Sequence, residues 1–111
     1  MTDLDAMQKE VDEYIGQFNA GYFSPLGQLA RLTEEVGELA REINHSYGEK
    51  QKKASEEDKA LEEELGDVLF VIISLANSLD IDLSEAFKLT MNKFIERDHF
   101  RFEREDGEKD V

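Results

Sequence analysis

The chain has 111 residues, enough for one domain and too few for two. It carries 27 acidic against 13 basic residues, a formal net charge of −14, which argues against a broad nucleic-acid surface because that needs a basic face. The absence of cysteine excludes a disulfide framework or a thiolate metal site, and the longest apolar run, Val68 to Ile73, is far short of a membrane span.

The N-terminus, MTDLDAMQKE, has no basic region followed by an apolar run, so no signal peptide is expected and the expected location is cytoplasmic. So acidic a chain suits cations, or anionic ligands held through cations; solubility alone is the competing reading. Thr2 precedes Leu4, Met7, Val11, Ile15 and Phe18, a spacing that predicts a first helix over about 3–18. FNAGYF is a break. Ser24-Pro25 reads as an N-cap with proline at the first helical position. Leu29, Leu32, Val36, Leu39 and Ile43 then form a one-sided apolar stripe, so the second helix runs over about 25–46.

GEKQKKASEED has charge without apolar periodicity and reads as a loop, with Ser55 as a candidate cap for the third helix, about 56–79. From Leu65 that helix is apolar nearly all round, through Val68, Leu69, Phe70, Val71, Ile72, Ile73, Leu75, Ala76 and Leu79. Such a helix is covered on several sides, and in a chain of four helices part of the cover is expected from another subunit. Asp82-Leu-Ser-Glu85 reads as a capping box opening a fourth helix with Ala86, Phe87, Met91, Phe94 and Ile95. The fold expected is all-α, an antiparallel bundle of about four helices that associates into a homo-oligomer. Residues 1–100 form the single domain, and 101–111 an acidic, disordered tail.

Two stretches, EEVGELA (34–40) and EELGDVL (63–69), each set a glycine between acids inside a helix, where glycine costs about 1 kcal/mol relative to alanine. Residues three apart share a helix face, about 5–6 Å between Cβ atoms. Glu35 and Glu38 therefore point one way, as do Glu64 and Asp67, and Glu42 continues the first stripe. If the two helices are antiparallel neighbours, the pairs face each other. Four facing carboxylates repel, and a hard divalent cation relieves them; oxygen-only ligation selects Mg²⁺ or Mn²⁺ over zinc. In so acidic a chain acid-x-x-acid arises by chance, as at Glu10/Glu13, which reads as a solvated face. The two chosen pairs differ because each abuts an apolar stripe, where a carboxylate is costly unless paired or metal-bound. Each also encloses a glycine, which removes bulk so that a helix or ligand can approach.

Late in the fourth helix come Asn92, Lys93 and Arg97. Lys93 and Arg97 suit the phosphates of a metal-held ligand; equally, they could pair with Glu96 or Asp98. Lys88 is a weaker candidate. His45 and His99 read as structural or surface groups. Tyr14, Phe18, Tyr22 and Phe23 cluster around the first break; core packing is the default, with Tyr22 or Phe23 as a possible platform for a nucleobase.

At these residues the sequence resembles the MazG family of all-α nucleoside triphosphate pyrophosphohydrolases. The family pattern E-E-x-x-E, a gap, then E-x-x-D stands here as Glu34-Glu35-Val36-Gly37-Glu38 and Glu64-Leu65-Gly66-Asp67, with 25 residues between. LxxLTEEVGELA, EELGDVLFVIISLA and NKFIER also match, over roughly residues 25–100. The resemblance implies Mg²⁺-dependent conversion of a nucleoside triphosphate (NTP or dNTP) to the monophosphate and pyrophosphate, with Mn²⁺ as a substitute. It implies metal ligands at Glu35, Glu38, Glu64 and Asp67, catalytic roles among Glu34, Glu35 and Glu38, and phosphate contacts at Asn92, Lys93 and Arg97. By spacing, Glu34 points away from the other acids. The implied partners are the nucleotide and a second or further copies of the chain, as a homodimer or homotetramer; neither membrane nor nucleic acid is expected. The rival from another class is a non-catalytic acidic bundle, serving as a partner-binding module or a metal-dependent nucleotide sensor.

Overall fold

The computed structural model describes residues 3–48 and 61–110, so the expected cap at Ser55 and the start of the third helix at 56 lie outside the described residues. Four α-helices and no strand occur among them: α1 (Leu4–Gly16), α2 (Pro25–Tyr47), α3 (Leu61–Ser78) and α4 (Leu83–Asp98). Local signals explain the boundaries. The Asp3 carboxylate accepts the Ala6 N–H at 2.8 Å and caps α1. Ser24 Oγ accepts the Gly27 N–H at 3.1 Å, with Pro25 opening α2 where no intrahelical donor is needed. Asp82 caps α4 by accepting from Ser84 N and Glu85 N at 2.9 and 3.3 Å. α1 stops two residues earlier than its apolar spacing predicts, and the chain turns at Gly21, whose φ of +63° suits glycine. Between α3 and α4, Asp80 takes up the left-handed conformation (φ 57°) while Ile81 N–H bonds back to Ala76 O at 2.8 Å.

The helices pair antiparallel. Gln28, near the start of α2, bonds to Ser78 at the end of α3, and Arg31 lies over the ring of Phe70. Gln8 of α1 bonds to Asn77 of α3, and Tyr14 packs edge-on against Phe70. α2 and α1 therefore both pack on α3, and α4 packs against α1. Asn77 ties the layers together. Its Nδ2 donates to Gln8 O and Tyr22 Oη at 2.9 and 3.0 Å, while its Oδ1 accepts from Gln8 Nε2 at 2.8 Å.

The interior differs from the expected one. The apolar stripe of α2 is largely uncovered within the protomer: Leu29, Val36 and Ile43 are about half exposed, and the residues α2 buries are Gln28 and Glu42. The buried apolar residues are Val11, Val71, Ile73 and Ala76. One side of α3, through Leu65, Leu69, Ile72 and Leu79, stays exposed, as do Phe87, Leu89, Phe94 and Ile95 of α4, which buries no residue. The radius of gyration is 18.5 Å, against about 13 Å for a compact domain of this length.

Beyond α4, Arg104 gathers the end segment. It donates to His99 O at 3.1 Å and pairs with Asp106 and Glu108 at 3.4 and 3.9 Å. No helix among the described residues is long and apolar enough to cross a membrane.

Candidate active site

The α2 face turned toward α3 is a polar stripe. Gln28, Arg31, Glu35, Glu38, Glu42 and His45 follow one another at intervals of three and four, so they lie along one side of the helix. α3 answers with Glu64 and Asp67 one turn apart, then Phe70, Val71 and Ser74. Antiparallel pairing brings the middle of one stripe onto the start of the other.

Glu35, Glu64 and Asp67 converge there, each offering an oxygen, with these oxygens within 4.8 Å of one another. Glu64 is fully buried, and Glu35 and Asp67 are partly so. Glu35 Oε2 is buried and has no hydrogen-bond donor among the described residues. Burial pushes the Glu35 carboxyl above its ordinary range. The charges of Glu38, Asp67 and Glu64 push the same way, and Arg31 opposes them. A buried carboxylate oxygen with no donor, facing two more carboxylates, is the donor set a hard divalent cation takes. The three residues therefore form an acidic cluster whose donor set suits a hard divalent cation.

The remaining expected residues divide. Glu38 acts on Glu35 through its charge, but its oxygens are not among the three that converge. Glu34 is exposed and, with Gly37, Glu38 and Arg41, lines an open depression on the outer side of α2. Glu38 thus stands at the boundary between the two faces. Asn92, Lys93 and Arg97 lie exposed on α4, which packs on α1 rather than on α2. The Arg97 fork holds Asp98 at 2.9 and 3.1 Å, the pairing that was its alternative reading, and both Arg97 and Lys93 sit over the ring of Phe94. His45 lies 3.9 Å from Glu42, and His99 stacks edge-on against Phe100. The two glycines do not mark a close helix approach among the described residues: a Cβ at Gly37 or Gly66 would meet nothing of them within 4 Å.

Next to the acids lies a cavity of about 410 Å³, in the range of small-molecule sites. Tyr14, Phe18, Tyr22, Phe23 and Phe70 supply its aromatic wall, and Arg31 and Gln28 its polar groups. Arg31 bridges the two features. Its guanidinium lies 5.6 Å from the centre of the Phe70 ring and acts electrostatically on Glu35. Sequence reasoning named the aromatic cluster but passed over Arg31 and Gln28. The signal was available, since both extend the Glu35/Glu38/Glu42 stripe backward at helical spacing.

The family model for the MazG nucleotide pyrophosphohydrolase domain matches residues 23–102, which takes in both acidic pairs, half of the residues lining the cavity, and α4. The YpjD protein of Bacillus subtilis (strain 168) is 64% identical over 103 residues, covering 93% of each chain. Its crystal structure superposes with a TM-score of 0.76 over 85% of this chain and 98% of its own. The crystal structure of the Bacillus-conserved MazG protein, a nucleotide pyrophosphohydrolase, is 61% identical, with a TM-score of 0.75 over 85% of this chain and 90% of its own. The nucleoside triphosphate pyrophosphohydrolase/pyrophosphatase MazG of Thermotoga maritima is 30% identical over 92 residues, which are 83% of this chain and 31% of that protein. A matching family model over most of the chain, relatives aligned along nearly its full length, and acids converging where two helices meet lead to one conclusion: the chain belongs to the MazG nucleotide pyrophosphohydrolase family and is a hydrolase of that type.

Proposed function

We propose that the protein hydrolyses a nucleoside triphosphate, NTP or dNTP, to the monophosphate and pyrophosphate in a Mg²⁺-dependent reaction, with Mn²⁺ as a substitute. The observation that carries this reading is the convergence of Glu35, Glu64 and Asp67 within 4.8 Å, beside an aromatic cavity and joined to it by Arg31. The acids would hold the cation, Arg31 would meet the phosphates, and the rings would stack on the base. When bound, the cation neutralises the triphosphate and lowers the pKa of the attacking water.

Water attacks the α-phosphorus, the bond from that phosphorus to the bridging oxygen breaks, and pyrophosphate leaves with the electron pair. A carboxylate must accept the water's proton. Glu38, beside the converging three and in electrostatic contact with Glu35, is our choice for either that role or a fourth ligand. Glu34, on the outer side with Glu38, would orient water from there.

Asn92, Lys93 and Arg97 fit as phosphate contacts if α4 of a second copy meets this face. The uncovered side of α3, the apolar α4 and the large radius of gyration support a homodimer or homotetramer. In that reading Arg97 exchanges Asp98 for phosphate on binding. We take residues 1–100 as the catalytic domain, 101–111 as an accessory acidic tail, and the cytoplasm as the setting, where nucleotide and Mg²⁺ are both available.

The test is a panel of common and modified nucleoside triphosphates with Mg²⁺ or Mn²⁺, detecting pyrophosphate and orthophosphate separately. Pyrophosphate from at least one substrate, lost in Asp67→Asn, is expected. Orthophosphate alone, or no turnover across the panel, would overturn the reading.

A further inference from the structure

α2 and α3 meet in successive rungs. Glu35 faces Asp67, and their oxygens converge with that of Glu64 within 4.8 Å. One turn back along α2 and one turn on along α3, Arg31 lies over Phe70, 5.6 Å from the ring centre. Further along the same seam Gln28 bonds to Ser78. A helical turn advances about 5.4 Å, so Arg31 stands about that far from the acids. The cavity begins at this rung: Arg31 and Phe70 line it, and the three acids do not.

Arg31 is the one charged residue among the described residues that line the cavity. The other polar groups of the wall are committed. Gln28 Nε2 donates to Phe23 O and Ser78 Oγ, and its Oε1, which has no hydrogen-bond partner among the described residues, is buried out of a ligand's reach. Tyr22 Oη donates to Asp12 at 2.7 Å, and Ser74 Oγ donates to Phe70 O at 2.9 Å. Arg31 is exposed, and its N–H groups have no hydrogen-bond partner among the described residues. A guanidinium laid on a ring face presents a planar fork of donors that suits a phosphate.

The order along the seam is rings, Arg31, acids. The order along a nucleoside triphosphate is base, sugar, α-phosphate, then the β- and γ-phosphates. With the base among the rings, the two orders match only when the α-phosphate lies at Arg31. We propose that Arg31 binds the α-phosphate, the one that stays with the monophosphate after cleavage, so that Arg31 and the aromatic cavity together form a nucleoside monophosphate subsite, while the leaving pyrophosphate is held elsewhere. This rests on the pyrophosphohydrolase reading and adds which phosphate Arg31 takes.

The experiment is calorimetric titration of the full chain in Mg²⁺ with three kinds of probe: the nucleosides of the common bases, their 5′-monophosphates, and inorganic pyrophosphate. In the wild type at least one monophosphate should bind at least about tenfold tighter than its nucleoside, the margin of a charged hydrogen bond. Arg31→Met should cut that margin to within about threefold of one and leave pyrophosphate within about threefold of its wild-type affinity. If Arg31→Met does not fold, Arg31→Lys takes its place, and a margin reduced at least about threefold is expected because the fork is lost. A wild type that binds no monophosphate more tightly than its nucleoside would overturn the proposal, as would a margin that survives the substitution. A loss that falls equally on pyrophosphate would place Arg31 on the β- or γ-phosphate, and one that falls equally on the nucleoside would place it on the base; either overturns the assignment. All three titrations measure binding, so they judge Arg31 whether or not any triphosphate is turned over, and failure of turnover counts against the pyrophosphohydrolase reading alone.

Discussion

Asp67→Asn isolates the electrostatics of the converging acids with almost no change of shape. Asp67 lies with Glu35 and Glu64 in a group whose oxygens are all within 4.8 Å. Two unit charges at that separation repel by about 3.5 kcal/mol at an effective dielectric constant of about 20, and Asp67 takes part in two such pairs. Partial exposure of Asp67 and Glu35, together with salt, reduces this gross figure, leaving a net relief of about 1–3 kcal/mol in the metal-free protein. For a domain of this size the variant should melt roughly 5–15 °C higher than the wild type in EDTA. Saturating Mg²⁺ should reverse the order. A cation at about a hundred times its Kd stabilises the wild type by about 2.7 kcal/mol, whereas the variant, with one ligand and one charge removed, should gain little. The assay is thermal melting of both proteins in EDTA and in a Mg²⁺ series, at fixed protein concentration. If Asp67→Asn melts lower in EDTA and Mg²⁺ raises both proteins equally, the acids neither repel nor hold a cation as argued.

Glu35 makes the metal-free protein sensitive to pH. Its folded pKa is raised above the ordinary 4.5. Its stabilising contribution is therefore fully present below that value and is lost as pH rises through the raised one. Urea unfolding in EDTA across this range should show falling stability, and Glu35→Gln should flatten the slope. Gly37→Ala and Gly66→Ala place a methyl group in open space, so each should stabilise the chain by about 1 kcal/mol through helix propensity. A loss of stability in denaturant melts would mean that another copy packs there. Asn77→Ala removes three hydrogen bonds that tie α3 to α1 and Tyr22 and should cost about 2–3 kcal/mol by chemical denaturation; a loss under 0.5 kcal/mol would show the network to be incidental.

Much of the fold was legible because its signals are local. Ser24-Pro25 and Asp82 announce α2 and α4 through capping chemistry that depends on a few neighbouring atoms. The spacing of Glu35 with Glu38, and of Glu64 with Asp67, follows from helix geometry alone. Once α2 and α3 are antiparallel neighbours, a meeting of acids is nearly forced. The apolar surround of α3 likewise announced that one chain would not cover it, and Leu65, Leu69 and Ile72 remain open.

Which face of α2 turns inward was a different kind of question. α2 carries an apolar stripe at 29, 32, 36, 39 and 43 and a polar one at 28, 31, 35, 38, 42 and 45. Periodicity reports which residues share a face and not what covers it, so hydrophobicity pointed to the wrong stripe for the protomer's interior. Only the packing of α2 on α3 buried Gln28 and Glu42, drew Arg31 between the acids and the rings, and left Glu38 just outside the converging set. Only the packing emptied the space around Gly37 and Gly66. The sequence by itself determined the helices, the acids and their spacing, because backbone geometry relates residues a few positions apart. The tertiary structure decided which acids converge and which amide is left with an unused acceptor, because those facts depend on side chains some 30 to 50 positions apart in the chain, as Glu35 is from Asp67 and Gln28 from Ser78.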